Sequence, residues 1–173
     1  MEIRKTKGEI RENKLSGYAV LFNTPSVLIR EHGKEFVETI ERGAFDISDK
    51  EDDIKLYFQH NSEMPLARTR NGSLILREDE KGIYFEAELP NTSLANDVKE
   101  LYRTGVLSGE MSFGFSVTRD KWSKDHKKRT VEKGMLYEIS IVTDAAYPDT
   151  SSQLRDIQEI NNKRISNIRR RLK

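Results

Sequence analysis

The chain has 173 residues, of which 35% are apolar and 34% charged, and its 30 basic and 29 acidic side chains leave a net charge of +1. This length fits one domain, and the balanced charge argues against a protein that binds nucleic acid with its whole surface. The lack of cysteine excludes disulfides, thiolate zinc sites and a thiol nucleophile. With three histidines and no motif for a phosphate or metal, we expect no cofactor.

The sequence also lacks the features of a membrane or secreted protein. No stretch approaches the roughly 20 apolar residues that span a bilayer, and the first ten residues, MEIRKTKGEI, lack the apolar run of a secretory signal. We therefore expect a soluble cytoplasmic protein.

The first ninety residues are predicted to form mostly β-strands, in segments 8–23, 35–40, 53–60, 72–78 and 82–89. The last two are joined by a charged turn at 79–81 and predict a hairpin. Alternation places apolar side chains on one strand face in two segments: Ile54, Leu56 and Phe58, and then Ile83, Phe85, Ala87 and Leu89.

The apolar period changes after residue 90. Leu94, Val98 and Leu101 recur at helical spacing between a capping residue (Asn91 or Thr92) and Gly105, which predicts a helix over 92–104. Apolar and small or polar side chains alternate again at 110–118, which predicts a strand. The polar stretch 119–134 predicts either a loop or a long exposed hairpin, and 136–148 reads as a strand that ends at Pro148.

The C-terminal segment differs from the rest in charge. Residues 154–173 hold seven basic and two acidic side chains, which is a net +5 and leaves −4 for residues 1–153. Isoleucine and leucine recur there at roughly helical spacing, so we predict a basic amphipathic helix about 30 Å long. The predicted organisation is a β-domain over 1–152 and a helical tail over 153–173. Many short strands around one internal helix favour a β-barrel or sandwich.

Without cysteine, a nucleophile must be a serine, threonine, lysine or carboxylate, and a serine needs a base that is itself held in place. His60 ends an apolar strand, where a side chain can reach a cleft, although a strand-end histidine bonded to the backbone is the competing interpretation. His32 lies in a turn, and His126 lies in the lysine-rich segment KDHKK. Neither of these two is a good catalytic candidate.

Two further residues complete a possible constellation. Ser112 shares a strand face with Gly114 and Ser116, a small surface that a substrate backbone could approach. Glu138 shares a face with Ser140, where a carboxylate could accept a hydrogen bond from a histidine ring. On the pattern alone, an ordinary strand face with polar side chains is the favoured interpretation of both residues, and the catalytic interpretation stays open beside it.

Six segments in series resemble the prohead (capsid maturation) proteases of tailed phages, the Hong Kong-97-type family. They are GYAVLFNTPS (17–26), ETIERGAF (38–45), LYFQHNSEMPLART (56–69), GSLILREDEKGIYFEAELPNTSLANDV (72–98), GVLSGEMSFGFSV (105–117) and LYEISIVTDAAYPDT (136–150). The resemblance implies a fold like the herpesvirus assemblins, a mostly antiparallel barrel surrounded by helices. It also implies a serine endopeptidase with His60 as base, Ser112 as nucleophile and Glu138 as third member.

The same resemblance implies the biological setting. Such an enzyme removes the scaffolding segment of the major capsid protein, and cuts itself, inside the immature capsid in the host cytoplasm. A homodimer is expected, because assemblin-like enzymes act as dimers. Where assemblins carry an arginine after the third triad strand, this chain has DAAYPDT (144–150), so its oxyanion donors differ. A non-catalytic scaffold with the same fold is the alternative, and nucleic-acid binding through the tail is less favoured.

Overall fold

A computed structural model describes residues 8–11, 13–31, 33–48 and 52–143. These ranges contain ten strands and one helix. The strands are β1 (Gly8–Arg11), β2 (Lys14–Leu21), β3 (Ile29–Glu31), β4 (Lys34–Ile40), β5 (Lys55–Phe58), β6 (Asn61–Arg68), β7 (Leu74–Glu78), β8 (Gly82–Glu88), β9 (Met111–Trp122) and β10 (Lys128–Ile141), and the helix is α1 (Ser93–Arg103).

The strands form two sheets. One has four strands in the order β1-β2-β8-β7, all antiparallel. The other has six strands. Five of them follow the order β3-β4-β10-β5-β6, and the sixth, β9, pairs with the opposite edge of β10. Apolar side chains of both sheets belong to one buried cluster that includes Leu15, Phe85, Leu56 and Ile139. The core is therefore the space between two packed sheets.

The long strand β10 organises the second sheet. The antiparallel strand β9 covers one of its edges from Arg129 to Ile141. On the other edge β4 pairs with its first part and β5 with its last part, and both of these pairings are parallel. The C-terminal half of β10 therefore has neighbours on both sides, which holds its backbone firmly.

Helix α1 packs on this core through the face that its sequence predicts. Thr92 caps it by accepting a hydrogen bond from the Ala95 amide at 3.3 Å. Ala95 and Val98 are buried, and Leu94 and Leu101 pack against the core cluster. Burial of a side chain as large as Val98 contributes about 1.5–3 kcal/mol, and the smaller Ala95 contributes less.

The predicted strands, the hairpin at 79–81 and the helix are confirmed, and the stretch 119–134 belongs to the long β9–β10 hairpin rather than to a loop. The mostly-β class is confirmed, and most strand pairs are antiparallel as expected. The prediction of a barrel surrounded by helices is wrong for the described residues, because strands β1, β7, β3, β6 and β9 remain sheet edges there and one helix is present. Alternating apolar residues specify the buried face of a strand, whereas closure depends on which strands pair.

Several predictions fall outside the described residues. These are the tail helix and the domain boundary at 152/153, together with His32 and the segment 144–150. Strand β10 also begins earlier than predicted, at Lys128, and ends at Ile141 rather than near Pro148.

Candidate active site

The position of Glu138 depends on an irregularity in β10. Leu136 pairs with Phe115 and Glu138 pairs with Gly114, so Tyr137 is an extra residue on β10. This β-bulge puts Leu136 and Glu138 on opposite faces, although they are two residues apart. Leu136 enters the core, and Glu138 lies on the opposite face with Ser140.

His60 lies in a two-residue turn between β5 and β6. Phe58 pairs with Asn61 across this turn, and Gln59 and His60 have φ angles of 56° and 53°. Two positive φ angles are typical of type I′ turns, which favour Asn-Gly rather than a pair of long side chains. The turn is held against β10, because the Gln59 amide donates to the Ile141 carbonyl at 2.8 Å. The Gln59 side-chain amide also donates to Thr143 Oγ1 at 2.9 Å.

The turn brings His60 onto Glu138, 78 positions away in sequence. His60 Nδ1 lies 2.6 Å from Glu138 Oε1, and the two side chains are 20% and 5% exposed. Beside an ionised carboxylate, which only accepts hydrogen bonds, Nδ1 must be the donor, and this leaves Nε2 of a neutral ring free to accept a proton. A serine nucleophile requires a base that is held by an orienting group, and an imidazole bonded to a buried carboxylate has the chemistry for that arrangement.

Ser112 lies on the same face of the sheet as Glu138. It pairs directly with Ser140 across β9 and β10, and its neighbour Gly114 pairs with Glu138. Paired residues of neighbouring strands share a face, with Cβ atoms about 5 Å apart. Ser112 is half-buried, and among the described residues its hydroxyl makes no hydrogen bond. The sheet thus places the predicted nucleophile one strand away from the His60–Glu138 pair.

A cleft of about 410 Å³ opens beside His60 and Glu138. Its walls combine aromatic and aliphatic side chains with carboxylates and one ammonium group: Tyr57, Met135, Leu136, Tyr137, Asp52, Asp53 and Lys55. Met135 and Tyr137 are about half exposed at its rim. This volume lies in the range of pockets that hold small ligands or side chains.

The charged groups of the cleft are mostly paired. Arg68 donates to Asp53 Oδ1 from Nε at 3.0 Å, and Lys55 Nζ lies 3.3 Å from Asp53 Oδ2. The Arg68 guanidinium, with the Lys55 ammonium, holds the pKa of Asp53 well below its usual range. Burial raises the pKa of Tyr57, and the negative charge of Glu138 raises it further. Tyr57 therefore stays a neutral hydrogen-bonding group through the physiological range.

Three further residues support this site in ways that the sequence does not predict. Ser140 donates to Glu138 Oε2 at 2.5 Å, Gly114 leaves room for the carboxylate, and Gln59 anchors the turn. The two-residue strand period places Gly114 on the face of Ser112 and Ser140 on the face of Glu138, but it does not show that either contacts the carboxylate. Nothing in the sequence indicates the role of Gln59. Of the other histidines, His126 is exposed at the tip of the β9–β10 hairpin, as predicted.

The sequence matches the family of caudovirus prohead serine proteases over residues 1–163. The chain belongs to this family. It is accordingly a serine peptidase of phage capsid maturation, and membership implies that it interacts with capsid proteins inside the procapsid in the host cell. The comparison with curated proteins and the comparison with solved structures gave no match.

Within the described ranges, helix α1 is not long and apolar enough to cross a membrane. The same ranges contain no group of three or more histidine or carboxylate side chains able to hold a metal ion.

Proposed function

We propose that this prohead protease works through a triad of Ser112, His60 and Glu138 and forms an acyl-enzyme. The observation that carries the proposal is the hydrogen bond between His60 Nδ1 and Glu138 Oε1, at 2.6 Å, on the sheet face that also bears Ser112. The hydrogen bond fixes the tautomer whose Nε2 accepts a proton. The resemblance to Hong Kong-97-type enzymes and to assemblins supports the same three residues.

The mechanism follows from these roles. His60 Nε2 removes the hydroxyl proton as Ser112 Oγ attacks a peptide carbonyl, and Glu138 stabilises the resulting imidazolium. The imidazolium then protonates the leaving amine, which produces the acyl-enzyme. Water activated by His60 attacks the ester and releases the acid product. Backbone amides near Ser112–Gly114 or in 143–147 would donate to the oxyanion, since this chain lacks the assemblin-type arginine.

The proposed substrates are the scaffolding segment of the major capsid protein and the chain itself, and the proposed active form is a homodimer inside the immature capsid. The basic tail, 154–173, would direct the enzyme to the interior or to the scaffold and be lost by self-cleavage. A non-catalytic scaffold that binds capsid protein is the second candidate. A chain that kept its fold only for assembly would not need a histidine in a strained turn against a buried carboxylate.

Intact mass followed over time tests the proposal. The wild-type chain, Ser112→Ala and Ser116→Ala are purified at full length and concentrated. Each is then incubated separately with a capsid-protein substrate. We expect defined cleavage by the wild type and by Ser116→Ala, whose serine lies on the same strand face and bonds to Tyr137 at 2.8 Å. We expect none from Ser112→Ala. Cleavage by a folded Ser112→Ala chain would overturn the assignment, and Ser62 at the cleft would be the next nucleophile to test.

Truncation of the basic tail, 154–173, distinguishes a function of the β-domain from a function of the tail. Under the proposed mechanism, the chain without residues 154–173 still cuts a substrate that is supplied directly. A protein that acts by binding DNA through its basic tail would lose its function completely, because five net charges supply a salt-sensitive attraction that the body lacks.

A further inference from the structure

The two oxygens of the Glu138 carboxylate have different partners. Oε1 accepts from His60 Nδ1 at 2.6 Å, and Oε2 accepts from Ser140 Oγ at 2.5 Å. We propose that Ser140 is a positioning residue of the active site, which holds the Glu138 carboxylate ionised and oriented toward His60. This inference rests on the proposed triad and adds to it a residue that does not touch the substrate.

The burial of Ser140 supports a role of this kind. Its side chain is fully buried, so a substrate carbonyl cannot reach its hydroxyl. The hydroxyl is bonded to the carboxylate, and Ser112, directly opposite on β9, is the serine of this pair that is partly exposed. A carboxylate that is 5% exposed needs hydrogen bonds to both oxygens to remain charged. Ser140 supplies the second of these bonds.

No other charged group within the described residues takes over this role. Strand β5 places Lys55 opposite Glu138, but the Lys55 ammonium turns to Asp53 at 3.3 Å. The remaining titratable groups of β5 and β10 at the cleft are the phenols Tyr57 and Tyr137. Strand β9 presents Gly114, which bears no side chain.

The segment that leads into β5 adds two acids at the cleft. Asp53 is ionised and paired with Arg68, and Asp52 also lines the cleft. Both are carboxylates and can donate nothing to Glu138 when ionised. The direct donors to the Glu138 carboxylate are therefore the His60 ring and the Ser140 hydroxyl.

Removing the Ser140 hydroxyl changes the proton affinity of the His60–Glu138 pair in a defined direction. Loss of this hydrogen bond raises the free energy of the pair most when His60 is neutral, because the Glu138 carboxylate then has no cation beside it. Uptake of the first proton by the pair thus becomes more favourable, and its apparent pKa rises. We expect the acid limb of the cleavage rate to move to higher pH in Ser140→Ala. The same change lowers kcat by about tenfold or more and leaves KM nearly unchanged, because the substrate does not touch Ser140.

An NMR titration of the histidine rings tests the inference without requiring activity. Full-length Ser112→Ala and Ser112→Ala/Ser140→Ala chains are labelled at histidine, and the signals of His60 are assigned by His60→Gln. We expect the titration midpoint of His60 to be higher in the double variant by several tenths of a pH unit. The two other histidines, His32 and His126, serve as internal controls and should not move.

Two further variants keep the experiment decisive. Ser140→Thr retains the hydroxyl and should restore the midpoint. Ser116→Ala removes a serine hydroxyl that bonds to Tyr137 rather than to Glu138, and it should leave the midpoint unchanged. An unchanged His60 midpoint in a folded double variant would overturn the inference. A shifted midpoint together with cleavage by Ser112→Ala would instead overturn the assignment of the nucleophile and leave the role of Ser140 standing.

Discussion

At the scale of single residues, Gly114 limits the space around the carboxylate of the site. A Cβ atom at this position would lie 2.6 Å from Glu138 Oε1 and 3.1 Å from its Cγ. Both distances are shorter than ordinary contacts, and the carboxylate side chain is the neighbour that must move. The absence of a side chain at Gly114 is thus part of what lets Glu138 face His60.

We predict that Gly114→Ala folds but loses most of its cleavage activity. Displacement of the carboxylate by about 1 Å misplaces the imidazole, and errors of this size cost about 100-fold in rate. Cleavage rate and thermal unfolding should be measured together. Gly134→Ala is the contrasting variant, because its Cβ would meet the Ser116 backbone oxygen at 2.4 Å and so disturb the strand pairing. We expect it to lower stability first. Full activity in Gly114→Ala would contradict this view of the site.

Asp53 is predicted to stabilise the fold in a pH-dependent way. Its pKa lies below the ordinary value because Arg68 donates to it, so the charged form favours the folded state. The stabilisation is present above the unfolded pKa of about 3.9 and disappears as the pH falls through the lower folded value. We expect Asp53→Asn to unfold more easily than the wild type at pH 7, and the two unfolding midpoints to converge below about pH 4. A difference that persists unchanged at low pH would show that Asp53 acts by packing instead.

At the scale of secondary structure, the turn between β5 and β6 carries strain at His60, the proposed base. Residues other than glycine pay about 1–2 kcal/mol to adopt a left-handed conformation, and Gln59 and His60 both do so. Strain of this kind persists where the surrounding structure enforces it, and it occurs frequently at active sites. Here the contacts from Gln59 to Ile141 and Thr143 hold the turn against β10.

A comparison of two inactive variants isolates this strain. His60→Ala and His60→Gly both lack the imidazole, so both lose the hydrogen bond to Glu138 and should not cleave. They differ mainly in the cost of a positive φ, which glycine adopts freely. We expect His60→Gly to be more stable than His60→Ala by about 1 kcal/mol in denaturant unfolding. If His60→Ala is the more stable of the two, the turn is not strained at this residue.

The elements of this fold differ in how far the sequence predicts them. A two-residue period gave the buried faces of β5 and β8, because it depends on each strand alone. Strand β6 was missed because it is polar, contains Pro65 and pairs irregularly with β5. The parallel pairings of β10 were missed as well, since strand patterns do not name partners. The sequence predicts a turn that opens at His60, whereas Gln59 and His60 themselves form it, because Gln-His lacks the glycine that normally indicates a type I′ turn.

The candidate site, like the fold, is only partly predictable from the sequence. Ser112, His60 and Glu138 were named from their residue types, and the resemblance to a family of proteases selected among the open interpretations. The contact between His60 and Glu138 joins residues 78 positions apart and depends on a strained turn and a bulge. Those two irregularities depend on tertiary packing, which local periodicity does not encode.

At the scale of the whole molecule, the site is built on the best supported part of the sheet. In β10, residues 139–141 are buried and have β9 on one side and β5 on the other. Strand β3, in contrast, has three residues and pairs with β4 alone within the described ranges. Local opening requires less energy where fewer neighbours must separate. The proposed catalytic pair, His60 and Glu138, is therefore held by a segment of β10 that opens only when much of the core opens.

We predict from this arrangement that backbone amides of residues 139–141 are among the slowest to exchange with deuterium. Their protection should approach the free energy of global unfolding, whereas amides in β3 should exchange through local opening. Native-state exchange of the full-length chain, followed by mass spectrometry of peptide fragments at several low denaturant concentrations, separates the two cases. The exchange rates of the slow amides should rise steeply with denaturant concentration, because their exchange requires large openings. The exchange rates of the β3 amides should change little. Equal protection of β3 and β10 would mean that the second sheet opens as one unit, and that the site owes no special rigidity to its central strand.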